Sequence, residues 1–457
     1  MTSVPTTKTT EVFAFNERLV LSFWAIGMWL MTMNTTMFNV ALPFVILDFQ
    51  LTSSVATWIV SGYSIVFAIS ALTFSRLSDY VPIRRLISVG LMILGLSSLL
   101  GFFASNFTTL LIARLLQAIG ASTLPCLAVV LASKYVPIKR RGNAMAIIAA
   151  AAALGFGMGP LVGGFFTEFW GWNYLFLAPF VVLFILPVLR KHLPEESIQR
   201  VQFDGLGALL VGVAVVSTLL VITSGIFVAI VIAIPAFILL WKHVHRTAIP
   251  FIQPELLHNR RFLILTVFPF TSFFMNFATM FSIPILLLEL FNQNPLQIGL
   301  IMFPGALLAA ILTQSSGKLI DHKGPLLVML LGLLLLSFAT IFFALFASYS
   351  TYVSLSLLVF MIAGSNILMA SANNEISRVL PQTLIGAGMG VSQLVQFIGG
   401  AFGVGVTGLI LSLQQHVEAT QTFRNLYLLL LTWLIIATVV FFVYRKANKE
   451  FKRSLVG

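Results

Sequence analysis

One arginine, Arg114, lies inside a long apolar stretch of the chain, where a cation is costly. An arginine within hydrocarbon costs about 2.5–3.5 kcal/mol on insertion scales, so its guanidinium should face a polar interior and have a partner. Gln117 follows one helical turn later on the same helix face. The pair predicts a partnered polar site inside a bundle of membrane helices. An arginine that extends from a helix end to the membrane interface is the alternative interpretation.

Carboxylates that could carry a proton lie only at the ends of the apolar stretches. Asp48, Glu168 and Glu289 lie at span ends on the side of the membrane opposite the N-terminus. Asp204 and Glu375 lie at span ends on the same side as the N-terminus. We favour Glu289, because Pro284 can bend its helix toward a cavity and a desolvated carboxylate can exchange protons near working pH. Glu168 is the second choice. A solvated acid at a helix end is the alternative in each case.

A further set of side chains could contact a flat organic molecule. Aromatic rings stack on planar or cationic ligands, and buried amides in apolar runs need polar partners. Because no carboxylate lies at mid-membrane, we expect a monocationic, zwitterionic or neutral amphiphile rather than a dication. Lipid-facing or core packing is the alternative for any single aromatic residue. The predicted cavity residues are Trp29, Asn34, Phe38, Gln117, Asn276, Asn366 and Gln393.

The elements that must position these residues are membrane-spanning helices. The chain is 59% hydrophobic and 9% charged, whereas a soluble protein is about a quarter charged. Apolar runs of about 20 residues predict an all-α integral membrane protein with fourteen transmembrane helices. The predicted spans are 19–45, 56–75, 86–104, 107–131, 143–167, 173–190, 204–222, 225–241, 262–288, 296–317, 325–347, 350–372, 385–411 and 424–444.

The cations of the chain are sorted to one side of these spans. If the N-terminus is on one side, all but two of the 26 Lys and Arg residues fall in loops on that side; Arg114 and Arg424 are the exceptions. This bias predicts that both termini are cytoplasmic in a multi-pass protein of the cell membrane. It also explains the net charge of +12 without nucleic acid.

Several site classes are absent from the sequence. Cys126 is the only cysteine, so no internal disulfide or thiolate metal site can form. The six histidines lack metal-ligand spacing, and there is no Walker A motif for ATP. We therefore expect no metal, no cofactor and no enzymatic activity.

Two segments of the chain repeat. The loop from Arg76 to Asp79 is similar to the loop from Lys318 to Asp321, 242 residues later, and the glycine-rich start at Gly142 recurs at Gly386. These offsets predict two parallel six-helix halves, a plan that is typical of transporters. The predicted division is residues 1–190, a two-helix insertion with linkers at 191–261, and residues 262–457.

Four motifs resemble those of the fourteen-span drug:proton antiporters of the major facilitator superfamily. One is the span 5 sequence with Gly155, Gly159, Pro160, Gly163 and Gly164, which is similar to the antiporter motif. The others are the loop with Arg76, Asp79, Arg84 and Arg85, the span 4 segment around Arg114, and Asn39 to Pro43 at the end of span 1. Ser75 and Pro82 depart from the usual glycines of that loop.

The resemblance implies a proton-coupled efflux antiporter for amphiphilic drugs that works by alternating access. It implies that Arg114 tunes a proton-carrying site, with Glu289, Glu168 and Asp48 as the candidate acids. It also implies that Asp79, with its weaker counterpart Asp321, latches the halves at the cytoplasmic side. Relatives often place an acid where this chain has Asn34 and Thr35.

We therefore expect drugs, protons and the bilayer as partners of a monomer. A transporter of the same fold that moves another cargo, such as a lipid exporter or a nutrient symporter, is the alternative.

Overall fold

The fold is a bundle of helices. The computed structural model describes residues 17–78, 80–194, 203–224, 227–247 and 249–454, and these residues form no β-strand. The α-helices are α1 (Glu17–Asp48), α2 (Ser53–Leu77), α3 (Ile83–Phe102), α4 (Phe107–Ala121), α5 (Thr123–Tyr135), α6 (Ile138–Phe169), α7 (Leu177–Phe180), α8 (Val182–His192), α9 (Gly205–Ser224), α10 (Ile230–Val244), α11 (Pro254–His258), α12 (Arg260–Phe291), α13 (Pro295–Lys323), α14 (Pro325–Phe346), α15 (Thr351–Val379), α16 (Ile385–Leu413) and α17 (Ala419–Ser454). The prediction of an all-α protein is confirmed.

Residues with turn and capping chemistry set several helix ends. Asn106 accepts a hydrogen bond from the Thr109 N–H and so caps α4. Asn294 and Gln297 form a reciprocal capping box at the start of α13. Gly324, with φ of 82°, separates α13 from α14 in a conformation that favours glycine.

Twelve segments of the described chain are long and apolar enough to cross a membrane, rather than the fourteen predicted. The two remaining predicted spans, 204–222 and 225–241, correspond to α9 and α10, whose apolar parts are shorter. The 15 residues of α10 rise only about 22 Å, short of the roughly 30 Å of hydrocarbon. The count of fourteen is therefore not supported by length and composition.

The internal repeat reappears as two equivalent helix contacts. On α6, Gly159 lies directly against Thr36 and the Met33 carbonyl oxygen of α1. On α16, Gly403 lies directly against the Phe274 carbonyl oxygen of α12. The two glycines are 244 residues apart, which is the offset between the glycine-rich starts of their helices. Small residues allow the backbones to approach this closely.

Contacts between helix ends define two faces of the bundle. At one face Arg140 forms an ion pair with Glu17 at 2.8 Å. At the other, the Trp172 indole N–H donates to a carboxylate oxygen of Asp48 at 2.9 Å. We call the first the basic face, because arginines at the end of α2 and at the starts of α3 and α6 lie there, and the second the opposite face.

The first seam between the halves joins α2 to α16 along their length. Gly408 lies against Thr57 near the opposite face, and Leu72 contacts Gly390 near the basic face. α9 packs over this seam and contacts both α2 and α16. The helix pair α9–α10 therefore covers one side of the bundle.

The second seam joins α6 to α13. Gly164 lies against the Pro295 carbonyl group, and Gly299 lies against the Pro160 carbonyl oxygen. These contacts hold the halves together near the opposite face.

Candidate functional site

A cavity of about 260 Å³ lies between the two halves. Its walls come from α1, α6, α12, α13 and α15, and no lining residue is charged. The lining residues are Thr36, Ala153, Phe156, Gly157, Pro160, Ser272, Phe273, Asn276, Phe277, Met280, Ala306, Ile362, Ser365, Asn366 and Met369. We call this space the central cavity. Its composition suits a flat, mostly apolar molecule with a few hydrogen-bonding groups.

Polar groups of α12 and α15 face one another across this cavity. Asn276 and Asn366 are half-buried and make no hydrogen bond to another described residue. The Ser365 hydroxyl is buried without a partner, while its carbonyl oxygen accepts from the Ser272 hydroxyl at 2.7 Å. An unpaired amide in an apolar cavity is costly, so these groups can bind a polar edge of a ligand.

Aromatic rings form the wall of the cavity on α12. The Phe273 ring stacks on Phe277 with a centroid distance of 5.4 Å and meets Phe397 edge-on at 5.2 Å. Phe397 in turn contacts Phe67 of the other half at 4.5 Å. A continuous aromatic surface therefore runs from the cavity wall into the first seam.

Arg114 lies in a second polar cluster, within the N-terminal half. Its side chain is 1% exposed and donates to the Asn34 Oδ1 at 3.2 Å and to the Gln117 Oε1 at 3.0 Å. The guanidinium carbon is 4.1 Å from the ring centroid of Phe38 and 4.3 Å from that of Tyr63. Neutral oxygens and aromatic faces thus surround the cation.

This cluster has more donors than acceptors. The Gln117 amide donates to the Ser98 hydroxyl at 2.8 Å. The Nε of Arg114 and the Nδ2 of Asn34 are buried without a hydrogen-bond partner. Because the Asn34 oxygen faces the arginine, its amide nitrogen is fixed as a donor. No salt bridge to Arg114 forms among the described residues.

The predicted antiporter motif lies at two interfaces of α6. Gly155, Gly159 and Gly163 lie against α1, each too close for a methyl group. Gly164 and Pro160 contact α13 instead. One sequence motif therefore serves both the packing within a half and the second seam.

The predicted proton-carrying acids lie at the opposite face, away from the central cavity lining. Asp48, Glu168 and Glu289 are all exposed there. Glu375, by contrast, is 7% exposed and accepts from the Tyr444 hydroxyl at 2.9 Å and from the Asn448 amide at 3.4 Å. The structure therefore does not bring these carboxylates to Arg114.

The predicted cytoplasmic latch is only partly described. Asp79 lies outside the described residues. Arg84 is half-buried, whereas Arg85 and Asp321 are exposed. Arg76 lines a small pocket beside the start of α9.

Asp204, which precedes α9 at the basic face, has the most hydrogen bonds of the acids described. Its side chain is 4% exposed, with Oδ1 2.7 Å from His243 Nε2. The N–H groups of Gly207 and Phe251 donate to it at 2.8 and 2.9 Å. Burial raises the pKa of the Asp204 carboxyl, but the hydrogen bonds from His243, Gly207 and Phe251 outweigh burial and lower the pKa below its usual value. The cluster ties the start of α9 to the end of α10.

The predicted cavity residues fall into three groups. Asn276 and Asn366 line the central cavity. Asn34, Phe38 and Gln117 belong to the Arg114 cluster. Trp29 and Gln393 are half-buried and line neither site.

Sequence reasoning missed Met280, Met369 and Ser365, which also line the cavity. A signal was present, since Met280 and Met369 follow the two predicted asparagines by one helical turn. Among the described residues, no group of three or more His, Cys, Asp or Glu side chains could hold a metal ion.

Comparison with known proteins gives a consistent result. The model of the Major Facilitator Superfamily matches residues 24–404 and 265–456. The riboflavin transporter RibZ of Clostridioides difficile (strain 630) is 29% identical over 312 residues, which cover 67% of this chain and 68% of RibZ. The uncharacterized transporter YebQ of Escherichia coli (strain K12) is 25% identical, covering 85% of this chain and 87% of YebQ.

A solved structure has the same fold. The structure is a bacterial homologue of the human lysosomal transporter Spinster, in an inward-facing and unoccupied conformation, and the TM-score is 0.69. The match covers 96% of this chain and 98% of that one at 16% sequence identity. At this identity the likeness establishes the fold alone.

Proposed function

This chain belongs to the Major Facilitator Superfamily, and from that premise we propose that it exports amphiphilic drugs in exchange for protons. The cargo is a monocationic, zwitterionic or neutral molecule with a flat ring system. It binds in the central cavity while the two halves alternate between states open to either side of the membrane.

The chemistry of the central cavity carries this proposal. Its lining has three phenylalanines, two methionines and two asparagines, and no charged side chain. Phenylalanine faces stack on varied planar rings, and methionine adapts to their outlines. A cavity of this kind favours flat amphiphiles over sugars or inorganic ions, which need many fixed polar contacts.

The packing of the two seams supports alternating access. At the second seam Gly164 and Gly299 lie near the opposite face against backbone carbonyl groups, rather than against interlocked long side chains. We also propose that α9 and α10 enter the bilayer as the two inserted helices, which would give fourteen membrane helices and leave both termini in the cytoplasm. The apolar, exposed side chains of α10, such as Val231 and Phe237, support this placement.

Proton coupling is the second part of the proposal. Arg114 modulates the coupling, and Glu289, Glu168 and Asp48 are the candidate carriers. The described side chains in contact with Arg114 are neutral, so its charge has no counter-ion among them, and a nearby change in protonation or in helix position would act strongly on it.

Riboflavin transport is a second candidate, favoured by a specific observation. The relative RibZ carries the name of a riboflavin transporter. An uncharged aromatic cavity with two amides would also suit a flat heterocycle whose edge bears hydrogen-bonding groups.

Counterflow in proteoliposomes tests the cargo. Vesicles loaded with a monocationic dye, a zwitterionic fluoroquinolone or riboflavin are diluted, and entry of the same labelled compound is measured. We expect exchange of the dye and the fluoroquinolone, and a rise in KM of about tenfold for Asn366→Leu, because one buried hydrogen bond is lost.

The matched control is Gln415→Leu, an amide replaced in an exposed loop. Exchange of riboflavin alone would favour the second candidate. A wild-type protein that exchanges none of the three compounds would contradict both cargo assignments.

A pH-reporting dye inside the vesicles tests the coupling. Addition of drug should move protons in the wild type, and Glu289→Gln should abolish that movement if Glu289 is the carrier. Arg114→Ala should reduce it. Proton movement that persists in Glu289→Gln would remove Glu289 and direct attention to Glu168 and Asp48.

A further inference from the structure

We propose that an anionic phospholipid binds in a groove between α13 and α14, with one acyl chain along the groove and its phosphate on Lys318 and His322 at the basic face. The groove is separate from the central cavity. The inference therefore goes beyond the proposed transport function and does not depend on it.

The groove exists because α13 and α14 both pack on α15. On α13, Gly305 lies against the Leu358 side chain of α15, and on α14, Gly332 lies against the Leu368 backbone. The turn at Gly324 joins α13 to α14, but these two helices contact each other much less than either contacts α15. A groove of about 440 Å³ remains between them, with α15 as its floor.

Most of the groove wall is aliphatic. Ser316, which is buried, is the one uncharged polar residue in the lining. Leu312 and Leu331 are 52 and 38% exposed, so the groove opens to the outside of the bundle. From Leu312 to His322 the helix rises about 15 Å, roughly the depth of one leaflet, which suits an acyl chain. The aliphatic lining residues are Leu312, Leu319, Val328, Leu331, Leu335 and Ile367.

The groove lies on the far side of α13 from the central cavity. Successive helical residues are about 100° apart, so Leu312 and Leu319 lie about 120° and 140° around the helix from Ala306, which lines the cavity. The two spaces share no lining residue. A molecule in the groove is therefore in contact with the surrounding bilayer rather than with the cargo.

Two basic side chains line the groove at its basic-face end. Lys318 and His322 are one helical turn apart, and neither forms an ion pair or hydrogen bond with another described residue. Their N–H groups are free to donate to phosphate oxygens. Lys323, which is exposed, follows Leu319 by one turn and adds a third basic side chain at the rim.

The charges at this end favour an anionic headgroup over a zwitterionic one. Asp321 is next to His322 in the sequence, but it lies about 100° around the helix from it and does not line the groove. The groove lining therefore holds no acid that could pair with the ammonium group of a zwitterionic lipid. Basic pockets between membrane helices bind anionic headgroups in this way.

Native mass spectrometry of the purified protein tests the headgroup preference. Phosphatidylglycerol and phosphatidylethanolamine with the same acyl chains are added in equal amounts. We expect one phosphatidylglycerol molecule to stay bound at collision energies that remove phosphatidylethanolamine. Equal retention of the two lipids would overturn the proposal.

A charge variant tests the site of the phosphate. Lys318→Gln combined with His322→Gln should weaken phosphatidylglycerol binding at least about fivefold. Lys242→Gln, at an exposed lysine near the end of α10, is the matched control and should bind the lipid as wild type does. Thermal unfolding without added lipid checks that both variants fold. Wild-type binding by the double variant would overturn the assignment.

A substitution in the groove tests the site of the acyl chain. Leu331→Trp should fill the groove and remove the bound phosphatidylglycerol, whereas Leu334→Trp, exposed on α14 outside the lining, should keep it. Equal binding by both variants would mean that the groove holds no chain and would overturn the proposal, as would displacement of the lipid by a transported dye. These measurements need no transport, so they stand whether or not the proposed function holds.

Discussion

At the scale of single residues, the guanidinium of Arg114 is held by shape as well as by charge. Two amide oxygens lie within 3.2 Å of it, and two aromatic rings cover its faces. A planar, delocalised cation fits between rings, whereas a compact ammonium group does not. The cluster therefore depends on arginine rather than on any positive side chain.

Replacement of Arg114 by lysine should expose this dependence. We expect Arg114→Lys to lower the melting temperature and to reduce counterflow at least about tenfold, because hydrogen bonds to a buried charge contribute about 1.5–3 kcal/mol. Fluorescence-detected thermal unfolding in detergent, together with counterflow, would measure both effects. Arg190→Lys, at an exposed arginine, is the control and should behave like wild type.

Asp204 should make stability depend on pH at the acidic end. Its pKa is lower in the folded protein than in the unfolded chain, so its contribution is fully present above the unfolded value of about 3.9 and is lost as the pH falls through the folded value. Asp204→Asn should therefore unfold at a lower temperature than wild type at pH 7, with a difference that shrinks below about pH 4. Thermal unfolding from pH 7 to pH 3 measures this.

The exposed acid Glu255 provides a comparison, since Glu255→Gln should show no such pH-dependent difference. A difference in unfolding temperature between Asp204→Asn and wild type that stays constant across the pH range would contradict the role given to the Asp204 carboxylate.

Individual residues could be predicted from the sequence where their burial carries a free-energy cost that can be estimated. The cost of a charge in hydrocarbon identified Arg114, and helical spacing gave Gln117 as its neighbour. Tyr63 was missed, because a single tyrosine in an apolar run has no distinguishing cost, and its place over the guanidinium depends on how α2 packs. His243 was missed as the partner of Asp204 for a related reason, since 39 residues separate them.

At the scale of elements, backbone contacts at glycine fix how the helices pair. Gly159 and Gly403 lie directly on carbonyl oxygens of α1 and α12, whereas a methyl group added at Gly157 would meet only the Ala306 methyl group, 4.0 Å away. An added methyl group must therefore push the helices apart in the first two cases and has room in the third.

Alanine substitutions at these glycines should differ in their effect on the stability of the protein. We expect Gly159→Ala and Gly403→Ala each to destabilise the protein by about 1–3 kcal/mol through overpacking. Gly157→Ala is the matched control on the same helix and should be neutral or slightly stabilising, because alanine favours helix over glycine by about 1 kcal/mol. Thermal unfolding of the three variants would check the order, and a destabilised Gly157→Ala would contradict it.

The sequence predicted most helices, because apolar length is a strong signal. It placed the start of α10 too early, at residue 225, because mean hydropathy does not report where a helix begins. α10 starts only at Ile230, after a 3-10 turn at Phe227–Ala229, so its helical part is shorter than the apolar run. Seam contacts such as Gly164 on Pro295 could not be predicted, since they depend on how the two halves dock.

At the scale of the whole molecule, the proposed alternating access requires the halves to separate along the second seam. A disulfide between Gly157→Cys of α6 and Ala306→Cys of α13, in a Cys126→Ala background, would hold them together there. A Cβ at Gly157 lies 4.0 Å from the Ala306 Cβ, which is within the range of a disulfide. We expect oxidation to abolish counterflow and a reductant to restore it.

The single variants serve as the control, because neither can form the bridge. Gly157→Cys alone and Ala306→Cys alone, treated with the same oxidant, should keep their counterflow. Full counterflow in the oxidised Gly157–Ala306 variant would show that the halves do not part at this seam.

The short helix α10 has a consequence for the surrounding lipid. Its 15 residues stand beside spans of 20 to 32 residues, and its side chains at Val231, Ile234 and Trp241 are more than half exposed. Placed in the bilayer as proposed, it creates a hydrophobic mismatch, which thins the membrane locally at a cost of a fraction of a kcal/mol per Å. The lipid on that flank is then under elastic stress, so the acyl-chain length of the host membrane becomes a control on how readily the bundle changes shape.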